Sequence, residues 1–103
     1  MSQVYADFAK IFKAISDETR LKIIDMLSWG ELCASEILEE FKISQSTLSY
    51  HMKILTDSGL VNGVRDGVWM RYSLNQDKAK AVLAFYSHII TPKKGHITQN
   101  SGY

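Results

Sequence analysis

A mainly helical domain carrying one small β-hairpin is what this sequence predicts, and three observations predict it. Apolar residues recur at helical spacing in five separate stretches. The one stretch rich in β-branched and aromatic residues, "LVNGVRDGVWMRYSL", is short and holds two turn dipeptides, Asn62-Gly63 and Asp66-Gly67. It lies between the fourth and fifth helical patterns, so the expected order is ααααββα.

Each element has a local reason. Val4, Phe8, Ile11, Phe12 and Ile15 form the apolar stripe of a first helix. Ser16 or Asp17 can cap a second helix, with Leu21, Ile24 and Leu27 as its apolar residues and Ile23 and Met26 beside them; Trp29-Gly30 ends it. "CASEILEEF" reads as a short third helix facing inward through Ile37, Leu38 and Phe41. Ser35 caps well there, while Cys33 sits three residues before Glu36, as in a capping box. Ser44 is a good N-cap for a fourth helix that runs to about Ser58 and stops at Gly59. The third and fourth helices are then about three residues apart, which is helix-turn-helix spacing.

A turn at Asn62-Gly63 would leave almost no strand after Gly59. A turn at Asp66-Gly67 pairs residues 60–65 with 68–73 and is preferred. Val68, Met70, Tyr72 and Leu74 then face one side and Trp69, Arg71 and Ser73 the other. Asn75 to Asp77 can cap a last helix through Val82, Leu83, Tyr86, Ile89 and Ile90, ended by Pro92. A helix-turn-helix followed directly by a hairpin is a winged helix. The domain is expected over residues 1–91, with a polar, flexible tail over 92–103.

The fourth helix poses the functional question. In "ISQSTLSYHMKIL", Leu48, Met52 and Leu55 fall on one apolar line, while Ser46, Ser49, Tyr50 and Lys53 point the other way. A merely solvated helix face usually carries Glu and Lys in i,i+4 pairs; hydroxyls and an aromatic ring suit another task. The major groove admits one α-helix and presents donors and acceptors on base edges. Gln45, Ser46, Thr47, Ser49 and Tyr50 lie in the first turns, where a recognition helix contacts bases, and Lys53 can hold a phosphate. The other reading is the outer face of a protein-binding module. Thr47 and His51 flank the core stripe, His51 more as a packed, hydrogen-bonded residue than as a reader. Arg65 and Arg71 straddle the hairpin tip, where they can reach flanking phosphates or the minor groove, or simply stand in water.

Composition permits this without requiring it. A 103-residue chain with 46% hydrophobic and 22% charged residues is an ordinary single globular domain. No apolar run spans a bilayer, and "MSQVYADFAK" lacks the basic start and apolar core of a secretion signal. The single cysteine, Cys33, precludes an intrachain disulfide and fits a reducing cytoplasm. Net charge is only +1, but residues 42–73 carry four cations against two anions, and residues 31–40 carry four glutamates and no cation.

"ISDETRLKIIDML", "GELCASEILEEFKISQSTLSYHMKILTDSGLV" and "RDGVWMRYSL" resemble the ArsR/SmtB family of bacterial metal-sensing repressors, and the wording is most similar to the arsenical-resistance operon repressors within it. The likeness covers residues 4 to about 90; its most specific part runs from Ser44 to Leu55. It implies a homodimer formed through the first and last helices, bound to double-stranded operator DNA and released by an inducer such as As(III) or Sb(III), with no cofactor required. Metalloid sensors of this type carry a Cys-x-Cys pair at the third helix, and this chain departs from that pattern. Cys33 is present, Ser35 stands in the second place, and Leu38 stands where a third cysteine can occur. A hydroxyl is a poor substitute for a thiolate toward As(III). Cys33 is thus open to three readings: an inert thiol, a weakened thiophilic ligand, or a redox switch. The resemblance also brings an Asp/His zinc arrangement on the last helix, for which Asp77, His88 and His96 are the candidates. Pro92 between the two histidines keeps them off one helical face.

An enzyme is not expected. The chain has no glycine-rich phosphate loop, no Cys-x-x-Cys and no set of nucleophile, base and orienter, and the adjacent Glu39 and Glu40 point apart on a helix.

Overall fold

The computed structural model describes residues 2–95. Helix α1 (Ser2–Ile15) is followed by α2 (Glu18–Leu27), strand β1 (Leu32–Cys33), α3 (Ala34–Leu38), α4 (Gln45–Asp57), β2 (Val61–Asp66), β3 (Trp69–Leu74) and α5 (Gln76–Ile90). The helices and the hairpin fall where the sequence places them. Strand β1 was not expected: two residues pair antiparallel with β3, Leu32 with Tyr72 and Cys33 with Arg71, making a three-stranded sheet in the order β1-β3-β2. A two-residue strand shows no alternation from which to read it.

The core lies between α1, α2, α3, α4 and the base of the sheet. Ile23, Ile37, Met52, Leu55 and Val61 are its most enclosed side chains. On α2 the buried pair is Ile23 and Leu27, one turn apart, and Leu21 is half exposed at 53%. The stripe is therefore rotated from the one expected, which had Leu21 at its edge. Arg20, on the inward side with Ile23, explains the rotation. Its Nε donates to the Ala14 carbonyl at 2.6 Å, and a guanidinium N–H lies 3.0 Å from Nδ1 of His51, tying α2 to α1 and α4. Arginine can only donate, so His51 Nδ1 is the acceptor in this contact.

Caps set the helix boundaries. Asp17 is the α2 N-cap, accepting from the Arg20 N–H at 3.1 Å. On α3 the N-cap is Cys33, not Ser35, and the Glu36 carboxylate accepts from the Cys33 backbone N–H at 2.8 Å. Because α3 ends at Leu38, it stands six residues from α4, wider than the expected spacing of about three. Gly59, at φ +87°, turns the chain from α4 into β2, and buried Ser58 satisfies itself by donating to the Leu55 carbonyl and accepting from the Leu60 N–H.

The hairpin turn sits one residue later than expected. Asp66 pairs with Trp69, leaving Gly67-Val68 as the loop, with positive φ only at the glycine. Glycine first, and a residue of negative φ second, is the type II′ pattern. The expected Asp66-Gly67 turn of type I′ would have forced Asp66 into the left-handed region as well. The change moves each cross-strand partner by two residues, a whole pleat, so the facing of the strands survives. Val61, Gly63 and Arg65 share a face with Met70, Tyr72 and Leu74; Val64 shares the other with Arg71.

Candidate nucleic-acid interface

Helix α4 is anchored by three side chains and free on the rest of its girth. Leu48, Met52 and Leu55 are at most 2% exposed, burial that contributes about 1.5 to 3 kcal/mol each. Gln45, Ser46, Thr47, Ser49, Tyr50 and Lys53 are exposed. Ser44 caps the helix by accepting from the Thr47 N–H at 3.1 Å and donates to the Thr47 hydroxyl at 2.9 Å, so the first turn is held rigid from within. The Tyr50 ring stands edge-on to His51, 5.3 Å between centroids, and His51 is itself pinned by Arg20. The structure thus makes His51 a packed positioning residue and leaves the Tyr50 hydroxyl free to project. Lys53 forms an i,i+4 ion pair with Asp57 at 3.3 Å, exposed on both sides and therefore weak.

The two hairpin arginines do not act as a pair. Arg65 lies on the sheet face that turns toward α4, and with Gln45 and Ser49 it lines the cleft between helix and hairpin. Arg71 lies on the reverse face, where its Nε is 3.1 Å from Glu31 and 3.9 Å from Asp66. The hydrogen bond and charge of Glu31 hold its pKa above the ordinary arginine value. The register keeps Arg71 on the face opposite Met70 and Tyr72, as the alternation predicts, so the two arginines lie on opposite sides of the hairpin. Sequence reasoning missed the Glu31–Arg71 pair, which joins residues 40 apart and leaves no local trace.

Known proteins can now be set beside this geometry. The sequence pattern of the bacterial regulatory protein arsR family matches residues 17–63, from the α2 cap into β2. The arsenical resistance operon repressor of Staphylococcus aureus is 51% identical over 71 residues, covering 69% of this chain and 68% of that protein. The chain belongs to the ArsR family. The arsenical resistance operon repressor of Bacillus subtilis (strain 168) extends the similarity to 91% of this chain and 90% of its own length, at 35% identity. Among solved structures, an ArsR-like transcriptional regulator from Rhodococcus sp. RHA1 superposes with a TM-score of 0.74 at 29% identity, covering 84% of this chain and 82% of the other. The winged-helix architecture and the assignment to transcriptional repressors of the ArsR type, rather than to enzymes, follow from membership in the family.

The position at which the sequence resemblance implies a metalloid, at the start of α3, is thinly furnished here. Cys33 is half-buried, and its Sγ lies 3.1 Å from the Ser35 hydroxyl. Its backbone N–H is held by Glu36, whose carboxyl this bond keeps below the usual glutamate range. Among the described residues no three His, Cys, Asp or Glu side chains converge as metal ligands. One thiol beside a hydroxyl does not fit a soft, three-coordinate As(III) ion within a single chain. The zinc candidates fare no better. Asp77 and His88 stand in the first and last turns of α5, too far apart to share an ion, and His96 lies outside the described residues. No helix of the described residues is long and apolar enough to cross a membrane.

Proposed function

We propose that this protein is a cytoplasmic, homodimeric repressor that reads operator DNA with the exposed face of α4. The observation that carries the reading is the division of that helix. One side is locked into the core by Leu48, Met52 and Leu55; the other presents Gln45, Ser46, Ser49 and Tyr50, neutral donors and acceptors suited to base edges. Thr47 braces the first turn, Lys53 holds a phosphate, and Arg65 meets the backbone from the hairpin. Arg71, tied to Glu31, holds the sheet to the residues before β1 and makes at most a secondary phosphate contact.

Dimerisation is supported by α1 and α5. Phe8 stacks on Phe85 at 4.1 Å, with Tyr5, Phe12 and Tyr86 around them. Yet α5 has no buried residue, and Leu83, Tyr86, Ile89 and Ile90 remain 42% to 71% exposed. An apolar layer of this extent calls for a partner, and a second copy supplies a matching one under two-fold symmetry. Two α4 helices then address half-sites about one helical turn, or a multiple of it, apart.

Selecting binding sites from random duplex DNA tests the reading. An enriched inverted repeat is expected; no enrichment over bulk DNA at low salt, with a protein captured on the α4 face, would favour the protein-binding module instead. For the inducer, arsenite titrated against the protein–operator complex is expected to release it poorly, and to release Ser35→Cys far more readily. Equal release of both would mean that Cys33 suffices or that the ligands lie elsewhere.

A further inference from the structure

Between α3, α4 and the hairpin lies a cleft of about 490 Å³, inside the range of roughly 300–1,000 Å³ common for small-molecule sites. We propose that this cleft binds a planar aromatic carboxylate bearing a second polar group, and that its occupant competes with operator DNA. The competition rests on the DNA-reading role of α4; the binding site does not.

Four observations carry the inference. Leu38, Leu48, Met52 and Met70 give the cleft apolar walls from three elements, and thioethers adapt to a flat ring. Tyr72 lines the cleft and is 8% exposed, yet its hydroxyl makes no hydrogen bond with any described residue. No fully enclosed polar side-chain atom is left unpartnered among the described residues, so that hydroxyl keeps a small exposure. Gly63 shapes this wall, because a Cβ there would come within 3.0 Å of Tyr72 Cε1 and 3.2 Å of the Met70 methyl. Finally, Arg65 lines the cleft and forms no ion pair with a described residue, whereas Arg71 on the reverse face forms two.

Together these groups specify a ligand. A neutral phenol donates and a guanidinium donates, so both ask for an acceptor anion. Burial pushes the Tyr72 phenol up, against the charge of Arg65, and so keeps its proton available. Glu39, the residue after α3, also lines the cleft; it repels a second carboxylate and accepts instead from a hydroxyl or amine of the ligand. Gln45 and Ser49, two of the proposed base-reading residues, line the same cleft. An occupant therefore sits against the reading helix and holds Arg65 away from phosphate.

The test uses the whole protein with methionine methyl groups labelled for NMR, titrated with 4-hydroxybenzoate and separately with indole-3-acetate. For at least one probe, the Met52 and Met70 signals are expected to move saturably while Met26 stays still. Tyr72→Phe and Arg65→Gln should each weaken that probe about tenfold. Unmoved Met52 and Met70 signals at millimolar concentrations of both probes, or unchanged affinity in both variants, overturn the site. In a second arm, Tyr72→Phe should bind operator normally yet need about tenfold more probe for release. Binding of the probe with no release from DNA overturns the competition. Failure to bind any DNA would sink the α4 reading, while the NMR titration still decides the site.

Discussion

The α4–hairpin end and the α1–α5 layer are both exposed, and they are exposed in opposite ways. At the first, the apolar side chains of α4 are inside and the outward face is hydroxyl, amide and phenol. At the second, an aromatic stack is only half covered and aliphatic side chains of α5 point to water. Water tolerates the first surface indefinitely and the second poorly. The difference separates two kinds of partner: one matched by hydrogen-bond pattern, the other by area.

The largest expected effect breaks the apolar side. Leu83→Glu should convert a dimer to a monomer in sedimentation equilibrium and weaken operator binding by about a hundredfold or more, because the second half-site contact loses its tether. A dimer that persists would move the interface elsewhere. On the polar side, Tyr50→Ala should cost about 1 to 3 kcal/mol of discrimination at a base position in each half-site, measured by competition with altered operators, and leave the dimer intact.

The scaffold beneath both surfaces gives a smaller effect. Replacing Asp17 by alanine removes the α2 cap and should lower unfolding stability by about 1 kcal/mol in urea titration. Asp17→Asn keeps the cap but not the charge. The hydrogen bond from the Arg20 N–H, more than nearby charge, holds the Asp17 carboxyl below its ordinary value. A depressed carboxyl contributes stability that is present above its unfolded pKa and lost as pH falls through the folded one. The natural protein should therefore lose stability on acidification below the usual aspartate range, and Asp17→Asn should show a shallower loss.

What the sequence could reveal follows the range of the interactions. The α4 stripe, the Ser44 cap and the strand faces rest on neighbours within a turn or a pleat, and they are legible in the residues themselves. The rotated face of α2, the pairing of β1 with β3 and the partner of Arg71 depend on contacts such as Arg20–His51 and Glu31–Arg71, 31 and 40 residues apart. Periodicity carries no record of these. The hairpin shows the boundary: alternation gave the faces correctly, but the loop position was decided by which residue had to take positive φ. The cleft lined by Tyr72 and Arg65 was invisible for the same reason, since three elements must assemble before it exists.

The smallest effects sharpen the division within the polar side. Lys53→Ala should weaken all DNA sequences alike and reduce the salt dependence by about one unit of slope. Arg71→Gln should change operator affinity less than Arg65→Gln, since only Arg65 shares the α4 side of the sheet.

The most direct measurement is a binding profile over every single-base change in the selected operator, taken for the natural protein, Ser49→Ala, Tyr50→Ala and Lys53→Ala. Sequence reading by α4 predicts that the serine and tyrosine changes relax preference at particular positions of each half-site, while the lysine change lowers the whole profile without altering its shape. Flat losses from Ser49→Ala and Tyr50→Ala, or no loss at all, would contradict it.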